Sequence, residues 1–264
     1  MNGVFYIGAA GLDTQQRALE VVANNIANMN TPGFKQSHVQ FSQLMASDTT
    51  QTFGADGASQ AEVSSQVGQP MFLGVKLDST PVDFTQGTLT QTNAPLDVAI
   101  NGGGFMELMG PGGQTLLWRG GSLMVNPDGY LAASNGMPLQ AMISVPREAT
   151  SLSIGADGRV MATLDGVAEP MTIGQIDLVQ DVDPSSLTAM SGGLYVPASE
   201  TDLAASAPGT EGAGILAQGF IETSNVDLSK EMVSLLLVQR AYSANSQVVQ
   251  AGDQLMAIAN DLKK

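Results

Sequence analysis

Ser224-Asn225-Val226-Asp227-Leu228 opens a stretch in which large side chains return every seventh position, at Leu228, Leu235, Tyr242, Val249 and Met256. A second apolar row, Ala241, Val248, Leu255 and Leu262, runs beside it. A seven-residue period marks an α-helix that buries one side, and the second row makes that side wider than a two-helix seam. The spacing predicts a helix from about Asn225 to Leu262, roughly 57 Å long at 1.5 Å per residue. Such a helix is too long to lie wholly against a small domain, so it projects or packs against other helices. Ser224 to Asp227 offers a capping box for its start, with an acid at the positive end of the helix dipole.

The other end of the chain has the same period. Phe5, Leu12, Leu19 and Ile26 repeat at seven, with Gly8, Gln15, Val22 and Met29 at the alternate seam positions. Pro32 disfavours helix at the residue before it and Gly33 permits a positive φ, so this helix ends near Asn28 to Asn30. Between the two helices the period falls to about 2. Leu96 to Ile100, Phe105 to Leu108, Thr115 to Trp118, Gly129 to Leu131 and Ile173 to Leu178 read as short strands. Asp128-Gly129, Asn135-Gly136, Asp157-Gly158 and Asp165-Gly166 supply the left-handed conformations that tight turns need. The expected fold class is α+β: terminal helices over 1–35 and 225–264, an extended connector over 36–75, and a central all-β domain over 76–224.

Of the 264 residues only 13% are charged, and the net charge is −15. Both terminal segments sum to zero, so the whole excess of acid lies in residues 36–224. An acidic body disfavours sequence-independent attraction to nucleic acid or to an anionic membrane. Cysteine is absent and His38 is the single histidine, which removes thiolate chemistry and leaves little for a zinc site or a catalytic triad. Gly102-Gly103-Gly104 lacks the lysine and helix pattern of a phosphate loop, and Asp181-Val182-Asp183-Pro184 lacks the further oxygens of a calcium loop. They read as a turn and a solvated loop. His38 reads as an exposed polar residue, and Trp118-Arg119 as a core tryptophan beside a cation that can stack. No catalytic residue, cofactor or metal is expected. Met1 to Leu12 has no basic n-region, and no apolar run reaches 18 residues, so neither a cleaved signal peptide nor membrane insertion is expected. Asn24, Asn25, Asn28 and Asn30 crowd the end of the first helix, with Asn225 and Asn245 at the other terminus. Amides at such positions either hydrate a helix end or, as favoured here, fix register between packed chains.

Three groups of motifs carry a resemblance. Ala23-Asn24-Asn25-Ile26-Ala27-Asn28-Met29-Asn30-Thr31-Pro32-Gly33-Phe34-Lys35 is similar to the N-terminal signature of the bacterial flagellar rod and hook proteins. Glu222 to Leu228, Glu231-Met232-Val233 and Gln239 to Ser246 resemble the C-terminal signature of that family. Gln86-Gly87-Thr88-Leu89, Pro95 to Ile100 and Gly102 to Phe105 look like the opening of its β-domain. A departure is Trp118-Arg119-Gly120-Gly121, where the family more often reads Tyr-Thr-Arg-x-Gly; Arg119 and Gly121 keep the later positions. Length and the flanking motifs point to a rod subunit of the distal kind, with a proximal rod subunit as the alternative and a β-domain binding or adhesin module as a more distant one.

The resemblance implies a non-enzymatic structural protein of the flagellar basal body, spanning the periplasm and exported by the flagellar type III apparatus without a cleaved signal. Its terminal helices would pair in a coiled-coil-like domain and build a homo-oligomeric helical polymer that transmits torque from motor to hook. Other rod subunits, the hook protein and the basal-body rings are the implied partners. The residues expected at subunit interfaces are Leu12, Leu19, Val22, Asn24, Asn25, Ile26 and Asn28 in the first helix. In the last they are Leu228, Met232, Leu235, Tyr242, Asn245, Val249 and Met256.

Overall fold

The computed structural model describes residues 2–46, 71–166, 169–199, 201, 203–210 and 212–261. The chain divides into two compact units. Met1–Ala23, Val39–Thr80 and Met232–Lys264 make one, and Asn24–His38 with Pro81–Glu231 make the other. Helix α1 (Asn2–Ala27) and helix α2 (Leu228–Asp261) each contribute residues to both.

In the first unit the covered side of α1 is made of small residues. Gly8, Gly11, Thr14, Ala18 and Val22 recur every three or four positions, which places them on one face. Thr14 is buried without an outside partner because its hydroxyl donates to Ala10 O (3.0 Å) and Gly11 O (2.9 Å) of its own helix. A methyl group built on Gly8 would stand 2.5 Å from Val249 Cγ2, and one on Gly11 would stand 2.9 Å from Asn245 Nδ2. Glycine in the alternate seam is therefore the point of closest approach to α2, while the large heptad residues Leu12 and Leu19 are only half-buried.

Strands Gln40–Ala46 and Met71–Ser79 pair antiparallel in the same unit, with Phe41 opposite Leu77 and Gln43 opposite Val75. The extended connector expected over 36–75 thus has paired strands at its described ends. The alternation Val75-Lys76-Leu77-Asp78 supplies the period of 2 that pairing needs; Gln51 to Gln69 lie outside the described residues.

Helix α2 begins at Leu228 because Asp227 caps it. Asp227 Oδ1 accepts from Ser229 N (2.9 Å) and Lys230 N (3.4 Å), satisfying two of the orphan amides of the first turn. The cap falls three residues beyond Ser224, whose hydroxyl instead accepts from Val226 N (3.2 Å). Helix α1 closes as the sequence implies, with Asn28 N bonding Asn24 O (3.1 Å) and the Asn28 side-chain amide donating to the same carbonyl (3.0 Å).

In the second unit two four-stranded sheets carry the core. One runs Ile215–Gln218, Asp97–Asn101, Gly120–Val125, Leu131–Ala133; the other runs Thr188–Met190, Leu194–Val196, Thr115–Trp118, Met106–Met109. Strand Thr115–Trp118 is apolar on both faces and is used on both. Leu116 and Trp118 enter the main core with Val98, Ile100, Met106, Leu108 and Leu131, whereas Leu117 enters a smaller core with Phe105, Leu187 and Tyr195. The four Asx-Gly pairs all turn with the glycine at φ between 81° and 86°. The single strand expected over Ile173 to Leu178 is two, Met171–Gln175 and Leu178–Asp181, because Ile176 leaves the first to bond Gly158 O (2.8 Å).

Leucine is a better helix former than glycine by about 0.5–1 kcal/mol, yet Gly8→Leu is expected to loosen α1 from α2, since steric overlap at Val249 outweighs that gain. Limited proteolysis should show faster cleavage in both helices, and adding Val249→Ala should restore part of the protection.

Candidate functional site

Where the segment following α1 meets the β-domain, three charged side chains are almost completely buried: Lys35 at 2%, Arg119 at 3% and Glu222 at 3% exposure. Lys35 Nζ donates to Glu222 Oε1 (2.6 Å) and to Thr85 O (2.7 Å). Arg119 Nη2 lies 3.4 Å from Glu222 Oε2. Its two terminal nitrogens also bind the glycine loop, Nη1 donating to Gly104 O (2.6 Å) and Nη2 to Gly102 O (3.0 Å). Gly87 N donates to Glu222 Oε1 (2.7 Å). A methyl group on Gly87 would sit 2.0 Å from Thr223 O, so only glycine brings that amide to the carboxylate.

Two cations thus share one anion away from water. Burying a charge is costly unless it is paired and hydrogen-bonded; here the carbonyls of Thr85, Gly102 and Gly104 absorb the surplus positive charge. Arg119 also stands 5.6 Å from the centroid of the Phe105 ring, a cation–π distance. Burial pulls the Lys35 ammonium below the ordinary lysine value of 10.5, opposed by its hydrogen bond to Glu222. Burial likewise pushes the Tyr195 phenol up to about 12. Tyr195, Phe84 and Phe105 pack edge to face, with centroids 5.0 to 5.9 Å apart, and wall the cluster on one side.

Two asparagines staple the same junction. Asn25 Oδ1 accepts from Ser37 N (3.0 Å) while Nδ2 donates to Ser37 O (2.9 Å) and to Glu231 Oε1 (3.3 Å). Asn225 Oδ1 accepts from Gln36 N (2.8 Å) and its amide donates to Asp83 O (2.9 Å). Each mimics a strand neighbour for the segment that follows α1. Asn25, expected at a subunit interface, is 1% exposed within the chain and its amide is used there.

The other interface candidates fall into two groups. Val22 is buried, and Leu12, Leu19, Ile26, Asn28, Leu235, Asn245 and Val249 are half-buried. Asn24, Leu228, Met232, Tyr242 and Met256 are exposed. His38 is exposed, 3.8 Å from Asp83 Oδ2. Among the described residues no three acidic or histidine side chains are grouped to hold a metal. The ionic cluster itself escaped the sequence reading, although Lys35 and Glu222 stand in the quoted motifs and Arg119 was singled out for stacking. The available signal was one charge in each of three stretches otherwise almost free of charge.

Comparison with known proteins follows the same three stretches. Residues 5–35 match the family described as flagella basal body rod protein, residues 99–162 the flagellar hook protein FlgE/F/G D1 domain, and residues 217–262 the flagellar basal body rod FlgEFG protein C-terminal. The chain is 37% identical to the flagellar basal-body rod protein FlgG of Caulobacter vibrioides, covering 97% of each chain. It is 36% identical to that of Buchnera aphidicola subsp. Baizongia pistaciae, over 97% of this chain and 98% of the relative. The chain belongs to the flagellar basal-body rod protein family.

It is a structural subunit of the rod, and the full-length FlgG matches bear out the expectation of the distal kind. Its place is the basal-body rod, in assembly with other rod and hook components. Lys35 ends the first matched stretch, Arg119 lies in the second and Glu222 in the third, so the buried cluster joins the three parts by which the family is known.

Replacing Glu222 by Gln strands two buried cations and is expected to cost about 3–5 kcal/mol. Lys35→Met leaves the Arg119–Glu222 pair neutral and should cost distinctly less. Urea unfolding of the two variants checks the order; the reverse order would show that the surplus positive charge does not govern the cluster.

Proposed function

We propose that α1 and α2 together are the polymerisation element of this rod subunit, pairing in a coiled-coil-like manner and packing against neighbouring copies into a helical tube. One observation carries the reading: α2 has a covered side and an equally apolar uncovered side. Leu235, Val238, Ala241, Asn245 and Val249 are partly covered within the chain. Val233, Leu237, Ala244, Val248, Ala251, Leu255 and Ile258 recur on the adjoining side, roughly a third of a turn round the helix, and are exposed, Leu237 at 60% and Leu255 at 63%. Covering the remaining surface of each large side chain contributes on the order of 1 kcal/mol, and a polymer collects that contribution from every subunit. A heterologous contact that does not close on itself yields an open helical assembly.

Charge distribution supports the same arrangement. The terminal segments sum to zero, so crowding many copies of them builds up little repulsion, whereas the acidic residues 36–224 suit an outward position facing the basal-body rings. In this reading the tube crosses the periplasm, passes torque from the motor to the hook protein, and receives its subunits through the flagellar type III export apparatus. The β-rich unit spaces and stiffens the tube and does no chemistry.

Leu237→Asp and Leu255→Asp put a charge on the uncovered face only. Each is expected to leave the thermal midpoint of the soluble chain unchanged, to abolish rod assembly and to stop swimming in soft agar. Leu235→Asp, on the covered face, should lose assembly and also loosen α2 within the subunit. Electron microscopy of basal bodies alongside calorimetry separates the two; normal rods from Leu255→Asp would sink the reading.

A further inference from the structure

A groove of about 410 Å3 opens beside the buried cluster, with Phe34, Met190 and Tyr195 in its walls and Asn24 and Asn28 at its edge. Lys35 belongs to its lining, but the ammonium is already bound to Glu222 and Thr85 O. What the groove presents is apolar and uncharged polar surface, with Met190 at 49% exposure. Its occupant must bring apolar side chains and little charge.

We propose that the groove receives the first turns of α2 from a neighbouring copy of this chain, with Leu228 and Met232 as the inserted side chains. The inference rests on the polymer reading above. Leu228 and Met232 are four residues apart, hence on one side of the helix, and are 41% and 42% exposed within their own chain. The exposed charges beside them are paired, and the remaining acid is buried. Lys230 Nζ stands 3.9 Å from Asp227, and Glu231, itself buried, accepts from Asn25. The start of α2 therefore offers the uncharged groove two apolar side chains with no exposed unpaired charge beside them.

The level of the contact follows from the same hydrogen bond. Asn25 Nδ2 reaches Glu231 Oε1 at 3.3 Å, so the end of α1 and the start of α2 lie side by side. Asn24 and Asn28, at the end of α1, form the edge of the groove. In copies standing side by side around a tube, the groove of one subunit and Leu228 of the next come at the same height. At the turn lining the groove, a methyl group built on Gly192 or Gly193 would meet nothing within 4 Å, which leaves room for a second backbone to approach.

The chain has no cysteine, which allows a direct test. Met190→Cys and Leu228→Cys chains are co-expressed in one cell, basal bodies are isolated, and the rods are treated with an oxidant or, in parallel, with a short bis-maleimide. Because the two cysteines are on different chains, only contact between subunits yields a band at twice the 27.3 kDa mass on a non-reducing gel. The expected result is that band from the mixture and from neither variant alone. Assembled rods from the mixture with no dimer under either reagent overturn the inference while leaving the polymer reading intact. Rods built from Leu255→Asp chains overturn the polymer reading instead. If Met190→Cys chains do not assemble, Ala189→Cys, also exposed on the groove wall, takes its place with the same two outcomes.

Discussion

The rest of the β-rich unit depends on one carboxylate. Glu222 holds Lys35 from the segment after α1, Arg119 from the middle of the β-domain and the Gly87 amide, all away from water. A buried ion group is weak evidence for stability, because its desolvation cost is comparable to its attraction. What it supplies is definition: the wrong partner, or none, is heavily penalised at each of its positions. The entry of α1 and the departure toward α2 are thereby fixed on the same wall of the domain, and Asn25 and Asn225 repeat that fixing with neutral hydrogen bonds.

The terminal helices obey a different physics. Their mutual approach relies on absent side chains, at Gly8 and Gly11, and much of their remaining apolar surface is uncovered among the described residues. One side of α2 packs within the subunit and the side next to it is left exposed, the kind of apolar patch that marks an interaction surface. Between the two regimes the molecule separates a part closed by buried ion pairs from a part that keeps apolar surface exposed.

The fold was legible in the sequence where one period dominated. Both helices, the turn after α1 and the Asx-Gly turns follow from local patterns of 3.5 to 3.6 or 2 and from the freedom of glycine. Strands such as Ala149–Ile154 and Leu203–Ser206 were missed, since alternating Ser and Ala against Leu gives little contrast between faces. The heptad residues stand out in the sequence, but the close approach at Gly8 and Gly11 does not, because a sequence pattern scores what a side chain buries and not what its absence admits. The ionic cluster was out of reach for a related reason. Lys35 and Glu222 are 187 positions apart, and nothing local says that either is buried.

That separation also bears on when the domain can form. Closing a loop of this length costs roughly 5 kcal/mol of chain entropy, on a logarithmic dependence of loop length, and topologies dominated by distant contacts assemble slowly. Asn25 waits still longer, for Glu231 at 206 positions. Lys35 can meet Thr85 and Asn25 can meet Ser37 early in the chain, but neither reaches its carboxylate until nearly all of the chain is available. The fold is timed by its own connectivity: these closing bonds form only once almost the whole chain is present.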